Sequence, residues 1–432
     1  MTGAPLSFNQ EFLLTFDKGD AEGALGERHI LVDAWRLTGP VDATVLQHAL
    51  DDVVARHDVL RTDVVADDDG GHQVVHPPCA ARLSVRPLAA HDRDVAAETL
   101  LNEIDDEPIT VREIPHLRAV LGRFDDNDAV LVLATHHVAS DDWSMGLLVR
   151  DLAAYYTARL TGTPAALPPA QQYADFAEWQ RRSGVATEQA RDYWRRTLTG
   201  HGMTAVPTDR PLPHDRPDSY AAHRFVLDAD LSARVREFAR AMRCTPFMVL
   251  LAAHQMQLRD LTGRSDVMTP TFTAGRYLER FNDTVGPFFN LVPLLTELNG
   301  VRHLRDVVGR VRTTCFSAYS HDIPFGDIVA EAPGIAEAFA DPWGAVVAFQ
   351  VLQPPSFADN LVLGEAKATA IRDRRLSQRR SSSIPNGGSW ALELLPSGLI
   401  GASLKYNANT FDESTITGIA DDFRNRLAVA LT

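Results

Sequence analysis

The 432-residue sequence predicts a mixed α/β fold assembled from two halves of similar plan. Three observations carry that expectation. The chain is too long for one ordinary hydrophobic core, so its length favours two or three domains. Two stretches repeat a rough order: a helix, some strands, then a buried strand that leads into a loop. Between them, Val206 to Arg216 contains Pro207, Pro211 and Pro213, with Pro217 just beyond, which excludes a helix and reads as an extended crossing between the halves.

Each element has its own local signal. Ala43 to His57 places Leu46, Ala49, Leu50, Val53 and Val54 at helical spacing. The polar, glycine-bearing interruption from Asp67 to Gly71 reads as a hairpin tip. Near-continuous apolar character from Ala129 to Ala134 predicts a strand covered on both faces. Ser140, Asp141 and Asp142 offer caps for a helix that carries Leu147, Leu148, Leu152 and Tyr156 and stops near Gly162. In the second half, Leu231 to Met242 is amphipathic. Thr245-Pro246 opens another helix, which Gly263 ends. The strip from Arg372 to Gly388 gathers five arginines (372, 374, 375, 379 and 380), four serines and an Asn-Gly-Gly turn. It reads as an exposed loop, with contact to an acidic partner or a channel mouth as the sharper alternative.

Composition narrows the function. With 45% hydrophobic and 23% charged residues the chain has the make-up of a soluble globular protein. A formal charge of −15 argues against nucleic acid as a partner, because phosphate binding needs clustered Lys and Arg. No apolar run approaches the roughly 20 residues that span a bilayer, so no membrane association is expected. The N-terminus lacks a basic and an apolar region of the secretory kind. Cys79, Cys244 and Cys315 are far apart and odd in number, forming neither a disulfide framework nor a zinc pair. A reducing cytoplasm and no metal are expected.

The chemistry concentrates in Ala134-Thr135-His136-His137-Val138-Ala139-Ser140-Asp141-Asp142-Trp143-Ser144. On a strand, alternate side chains face opposite ways, so His136 shares a face with Val132 and Ala134 while His137 looks the other way. One ring is then buried and the other, at the strand end, reaches a cavity. Imidazole titrates near 6.5 and can take a proton at neutral pH. Taken alone, His-x-x-x-Asp is also the pattern of a core histidine followed by a helix cap.

The segment resembles the HHxxxDG motif of nonribosomal peptide synthetase condensation domains, and other stretches match that family in order. Ser7-Phe8-Asn9-Gln10 with Phe12-Leu13 is similar to its first motif, and Arg56 to Thr62 (RHDVLRT) to its RHxxLRT. Tyr173 to Gln180 resembles YxDYAxWQ, and Thr208 to Pro211 the bridging segment after it. Gly275-Arg276 and Val285 to Asn290 resemble the GR and VGxFxN pair, and His321 to Phe325 the HxxxPF motif. Tyr406-Asn407 with Phe411-Asp412 resembles the last recognisable stretch.

The resemblance implies two chloramphenicol-acetyltransferase-like α/β lobes, 1–180 and 181–432, set in a V around a channel. It implies an acyltransferase that joins a carrier-bound acyl or aminoacyl thioester to a small-molecule or carrier-bound amine or alcohol. The enzyme would bind no cofactor itself; the 4'-phosphopantetheine arm belongs to the partner carrier protein. By motif position His137 is the catalytic residue, as general base or in positioning the nucleophile, and His136 is structural. Asp141 pairs with Arg276 to hold the active-site loop, and Ser144 and Asn290 are candidates to line the substrate channel. Tyr173, Phe176 and Trp179 are expected to pack the core.

Asp142 departs from the family glycine. Aspartate tolerates the left-handed backbone better than most residues, and its charge is expected to raise the pKa of a protonated His137. Asn9 and Glu11 also depart from the first motif. Oxygenase-recruiting relatives carry an Asp at the equivalent of 142 but lose the second histidine, which this chain keeps. A non-enzymatic docking module is therefore the alternative reading, and an acyltransferase using coenzyme A a third. With no adenylation or carrier segment after Asn407, a free-standing enzyme is expected, nearest to those that attach a carrier-tethered amino acid to an enediyne core.

Overall fold

The structure, a computed structural model, describes residues 3–19, 22–66, 70–89, 91–276, 278–353, 355–384 and 387–431. Its first half is organised on a six-stranded sheet. In spatial order the strands are Leu361–Leu363, Ala366–Ala370, Ile30–Thr38, Asp128–His136, Leu117–Asp125 and Arg82–Pro87. All neighbours are antiparallel except the last pair. The strand expected from the apolar run is central and buried on both faces. Ala129, Leu131 and Leu133 pack on the side of helices Ala43–Arg56 and Asp142–Thr161, while Val130, Val132 and Ala134 pack against helix Arg93–Asp106. Helix Asp142–Thr161 is capped by Asp141 and ends at Gly162 with φ 68°, a left-handed turn that glycine adopts without strain.

The second half builds on a four-stranded sheet, Val347–Leu352, Gly388–Leu394, Ile400–Asn407 and Tyr220–Leu227, with the hairpin Asp266–Thr273/Asn290–Glu297 alongside. Helices Ala229–Ala241, Pro246–Thr262, Leu304–Ser320 and Glu413–Ala430 complete its core. Thr245 caps the second of these, Pro246 sits at its first position, and Gly263 ends it at φ 71°. The segment after Val206–Pro207 is extended and free of helix.

The halves exchange chain. Residues 361–370, deep in the second half of the sequence, cross over and extend the first sheet, with Lys367 opposite Thr38 and Ala370 opposite Trp35. The hairpin tip expected from Asp67 to Gly71 includes residues 67–69, outside the described ones, although the flanking strands Thr62–Val65 and His72–Val75 do pair antiparallel. Asn386, in the expected Asn-Gly-Gly turn, also lies outside them.

The strip from Arg372 corrects the reading of an exposed loop. Arg375, Arg379 and Arg380 do face solvent, but Arg372 and Arg374 turn inward to the cavity between the halves. The strip runs between the two sheets. Gln378 exchanges backbone hydrogen bonds with Ala222, and the Ser381 and Ser382 hydroxyls donate to buried Asp105 at 2.7 and 2.8 Å. Lys405, beside them, holds the Asp105 carboxyl far below the usual carboxylate range against the opposing effect of burial.

Candidate active site

Two adjacent histidines end the central strand with opposite commitments. His136 is fully buried. Its Nε2 donates to the Gly26 carbonyl at 3.1 Å, and its Nδ1 accepts from the Val138 amide at 3.1 Å, so both nitrogens are used and the tautomer is set. Burial drives its pKa down to about 3, with neighbouring His116 adding to the effect. His137 follows the strand and lines the cavity. Its ring meets Phe289 edge-on at 5.0 Å and His29 at 4.6 Å. Its Nδ1 is buried with no well-formed hydrogen bond among the described residues, which leaves Nε2 toward the cavity.

The His137 pKa falls below 6.5, first because burial disfavours the cation, with Asp141 and local backbone opposing. This corrects the expectation that Asp142 would raise it. The Asp142 carboxyl is itself pushed up to about 7, by burial and then by Asp33 and Glu393, so it brings little fixed negative charge. Nor does position 142 need glycine's backbone freedom, because Asp142 is the first residue of a right-handed helix.

Behind the histidines lies a brace drawn from five distant stretches. Asp141 accepts from the Ser144 amide at 2.7 Å, from Arg276 Nη2 at 3.0 Å and from the Phe288 amide at 3.2 Å. Arg276, with only 5% of its side chain exposed, also donates to the carbonyls of Phe281 and Thr284 at 2.9 and 2.8 Å and stacks over Phe288 at 4.0 Å. Gly286 approaches Tyr173 so closely that a Cβ there would fall 2.0 Å from the ring. The Tyr173 hydroxyl in turn meets Ser7 Oγ at 2.7 Å and donates to the Pro287 carbonyl at 3.1 Å.

The two channel candidates are corrected. Ser144 is buried, with its hydroxyl donating to the Gly286 carbonyl and accepting from the Gly286 amide and Arg276, all at 3.0 Å. Asn290 donates to Asp322 and to the Ile323 carbonyl at 2.7 Å and accepts from the Phe325 amide at 3.0 Å, which pins the start of helix Phe325–Glu331. Neither side chain lines the cavity; both hold the backbone around it.

The cavity encloses about 630 Å³. One side is aromatic: Phe12, Phe16, Phe272, Phe289 and Phe339. The other is polar, with Asp33, Asp142, Glu393 and Arg372. Glu393 lies 3.1 Å from Arg372, yet burial still raises its carboxyl to about 7. Sequence reasoning missed His29 and Asp33. They lie two positions either side of Leu31 on one face, but only the pairing of Ile30 with His136 shows that this face meets the histidines. Among the described residues no three His, Cys, Asp or Glu side chains converge to hold a metal ion. No helix among them is long and apolar enough to cross a membrane.

Comparison with known proteins follows the same lines. Residues 2–432 match the model of the family described as Condensation domain. A linear gramicidin synthase of Brevibacillus parabrevis is 32% identical over 432 residues, 98% of this chain and 5% of that protein. The chain thus spans only a small part of the synthetases it matches. The crystal structure of the SgcC5 protein from Streptomyces globisporus, in complex with (R)-(-)-1-(2-naphthyl)-1,2-ethanediol and sucrose, superposes with a TM-score of 0.94 at 40% identity, covering 99% of this chain and 98% of that one. The X-domain from teicoplanin biosynthesis superposes at 0.81 with 26% identity, covering 100% and 95%.

Proposed function

The chain belongs to the condensation-domain family, and from that premise we propose that it joins a carrier-bound acyl or aminoacyl thioester to an amine or alcohol, making an amide or ester. The observation that carries this reading is the division of labour between the histidines. His136 has no free nitrogen, whereas His137 is neutral and opens on a cavity of about 630 Å³. A thioester is already activated, so the protein mainly aligns the acceptor and manages one proton. His137 Nε2 takes the proton as the acceptor nitrogen or oxygen attacks the thioester carbonyl. The new C–N or C–O bond forms, the C–S bond breaks, and the proton passes to the departing thiolate.

The tether would be the phosphopantetheine arm of a partner carrier protein, which the aromatic wall suits. The diol bound by the Streptomyces globisporus relative supports an aryl alcohol as one acceptor class. The Asp141–Arg276 brace would hold the His137 loop without touching substrate. Separate hydrophobic cores support lobes 1–180 and 181–432, with Phe281, Val285, Phe288, Ala358 and residues 361–370 as excursions onto the first. Residence in the cytoplasm fits the three free cysteines.

The test is turnover of an aminoacyl thioester with an aryl diol or amine. His137→Ala should lose about 10²- to 10⁴-fold in kcat with an unchanged melting temperature. Equal product from the variant would sink the assignment. Loaded carrier bound but never turned over would make the chain a docking module instead.

A further inference from the structure

The cavity carries a second imidazole beside the proposed base. His29 is 6% exposed and precedes the strand Ile30–Thr38, so strand pairing sets it opposite His137. The His137 amide donates to the His29 carbonyl at 2.9 Å, and the two rings lie 4.6 Å apart with a 30° tilt. His29 Nδ1 sits 2.9 Å from the Ala24 carbonyl. A carbonyl only accepts, so Nδ1 carries the ring proton. Burial and the adjacent His137 keep the ring uncharged. A neutral ring protonated on Nδ1 has its lone pair on Nε2. That atom has no partner among the described residues, and His29 lines the cavity. Nε2 is not among the enclosed atoms that lack a partner, so it opens on the cavity and presents a free acceptor to a ligand's donor. His254, in the second core, is also unpartnered, but it faces a separate void of about 20 Å³, roughly the space of one water.

We propose that His29 is a positioning residue for the acceptor. Its Nε2 accepts a hydrogen bond from a second N–H or O–H of the acceptor while His137 takes the proton from the attacking atom. The His29 proton stays on Nδ1 throughout. Two lone pairs side by side fit an acceptor with two donor hydrogens at its reacting end, a 1,2-diol or primary amine, over one that offers a single hydroxyl. This role rests on the condensation function proposed above.

The experiment compares 1-(2-naphthyl)-1,2-ethanediol with 2-(2-naphthyl)ethanol as acceptors, using aminoacyl-pantetheine thioesters as donors. His29→Asn keeps a donor toward Ala24 but loses the cavity acceptor; His29→Gln places an oxygen near the Nε2 position. His29→Asn should lower kcat/KM for the diol about 10- to 100-fold, with the donor KM and the single alcohol unaffected. His29→Gln should recover part of the loss. Full diol activity in His29→Asn, or equal losses on both acceptors, would overturn the role. So would an unmodified enzyme that does not favour the diol, a readout independent of how the variants fold. No product from the unmodified enzyme with any acceptor would overturn the condensation function as well, whereas product that vanishes only in His137→Ala upholds that function and refutes His29.

Discussion

Asp141 and Asp142 are neighbours at the start of one helix, yet their carboxyls meet opposite surroundings. Asp141 is met by N–H donors from three places: its own helix, the Arg276 guanidinium and the Phe288 amide. Asp142 points at the polar wall of the cavity, where Asp33 and Glu393 repel its charge and Arg372 offsets only part of it. Both stand at a helix N-terminus, where the backbone favours negative charge. The difference teaches that the supply of donors around a carboxyl outweighs the helix end it shares, and that one half of this site is braced while the other is left unsatisfied.

The largest effect should come from breaking the brace. Asp141→Ala leaves the Arg276 guanidinium buried without its partner, and removal of one member of a buried pair costs about 3–5 kcal/mol. Urea unfolding measures it; a loss under about 1 kcal/mol would show that the pair is not what holds the loop. Next comes Gly286→Ala, whose added methyl must displace the Tyr173 ring, at a cost of about 1–3 kcal/mol by the same measurement. A neutral result there would mean that the Tyr173 side of the brace yields easily.

The smallest effect should lie on the unsatisfied side and depend on pH. The Asp142 carboxyl titrates at about 7 in the fold, against an ordinary value of 3.8. Below pH 3.8 it is neutral in folded and unfolded chain alike. As pH rises toward 7 the unfolded chain ionises first, so this group progressively lowers stability. Asp142→Asn removes that loss. Its stability should match the unmodified protein near pH 3 and exceed it by about 1–2 kcal/mol at pH 8, short of the full shift because the cavity side of the group is screened. A pH-independent gap would place the repulsion elsewhere.

Much of this was legible from local pattern. Helices Ala43–Arg56 and Pro246–Thr262 follow from apolar spacing and caps within a few residues of each other. The histidine pair, its alternation and the Asp141 cap are likewise local, and the Asp141–Arg276 ion pair, implied by motif resemblance, is present at 3.0 Å. What escaped depends on partners far away in the chain. Ser144 and Asn290 carry polar groups suited to a substrate, and only their hydrogen bonds to Gly286 and to Asp322 and Phe325 show that those groups are used up. The arginine strip has the composition of a solvated loop, and nothing within it tells that Arg372 turns toward Glu393 while Arg375 does not.

The sequence by itself determined the elements, their caps, the order of the motifs and the opposite facing of the two histidines, because those rest on periodicity and on contacts within one or two turns. Tertiary structure alone decided which polar groups remain free. His29 became a neighbour of His137 through strand pairing, residues 361–370 joined the first sheet across more than 300 positions, and Asp142 acquired acidic company from two other strands. The charge and hydrogen bonding of a buried group depend on every donor and charge within a few ångströms, and the fold chooses those from all along the chain.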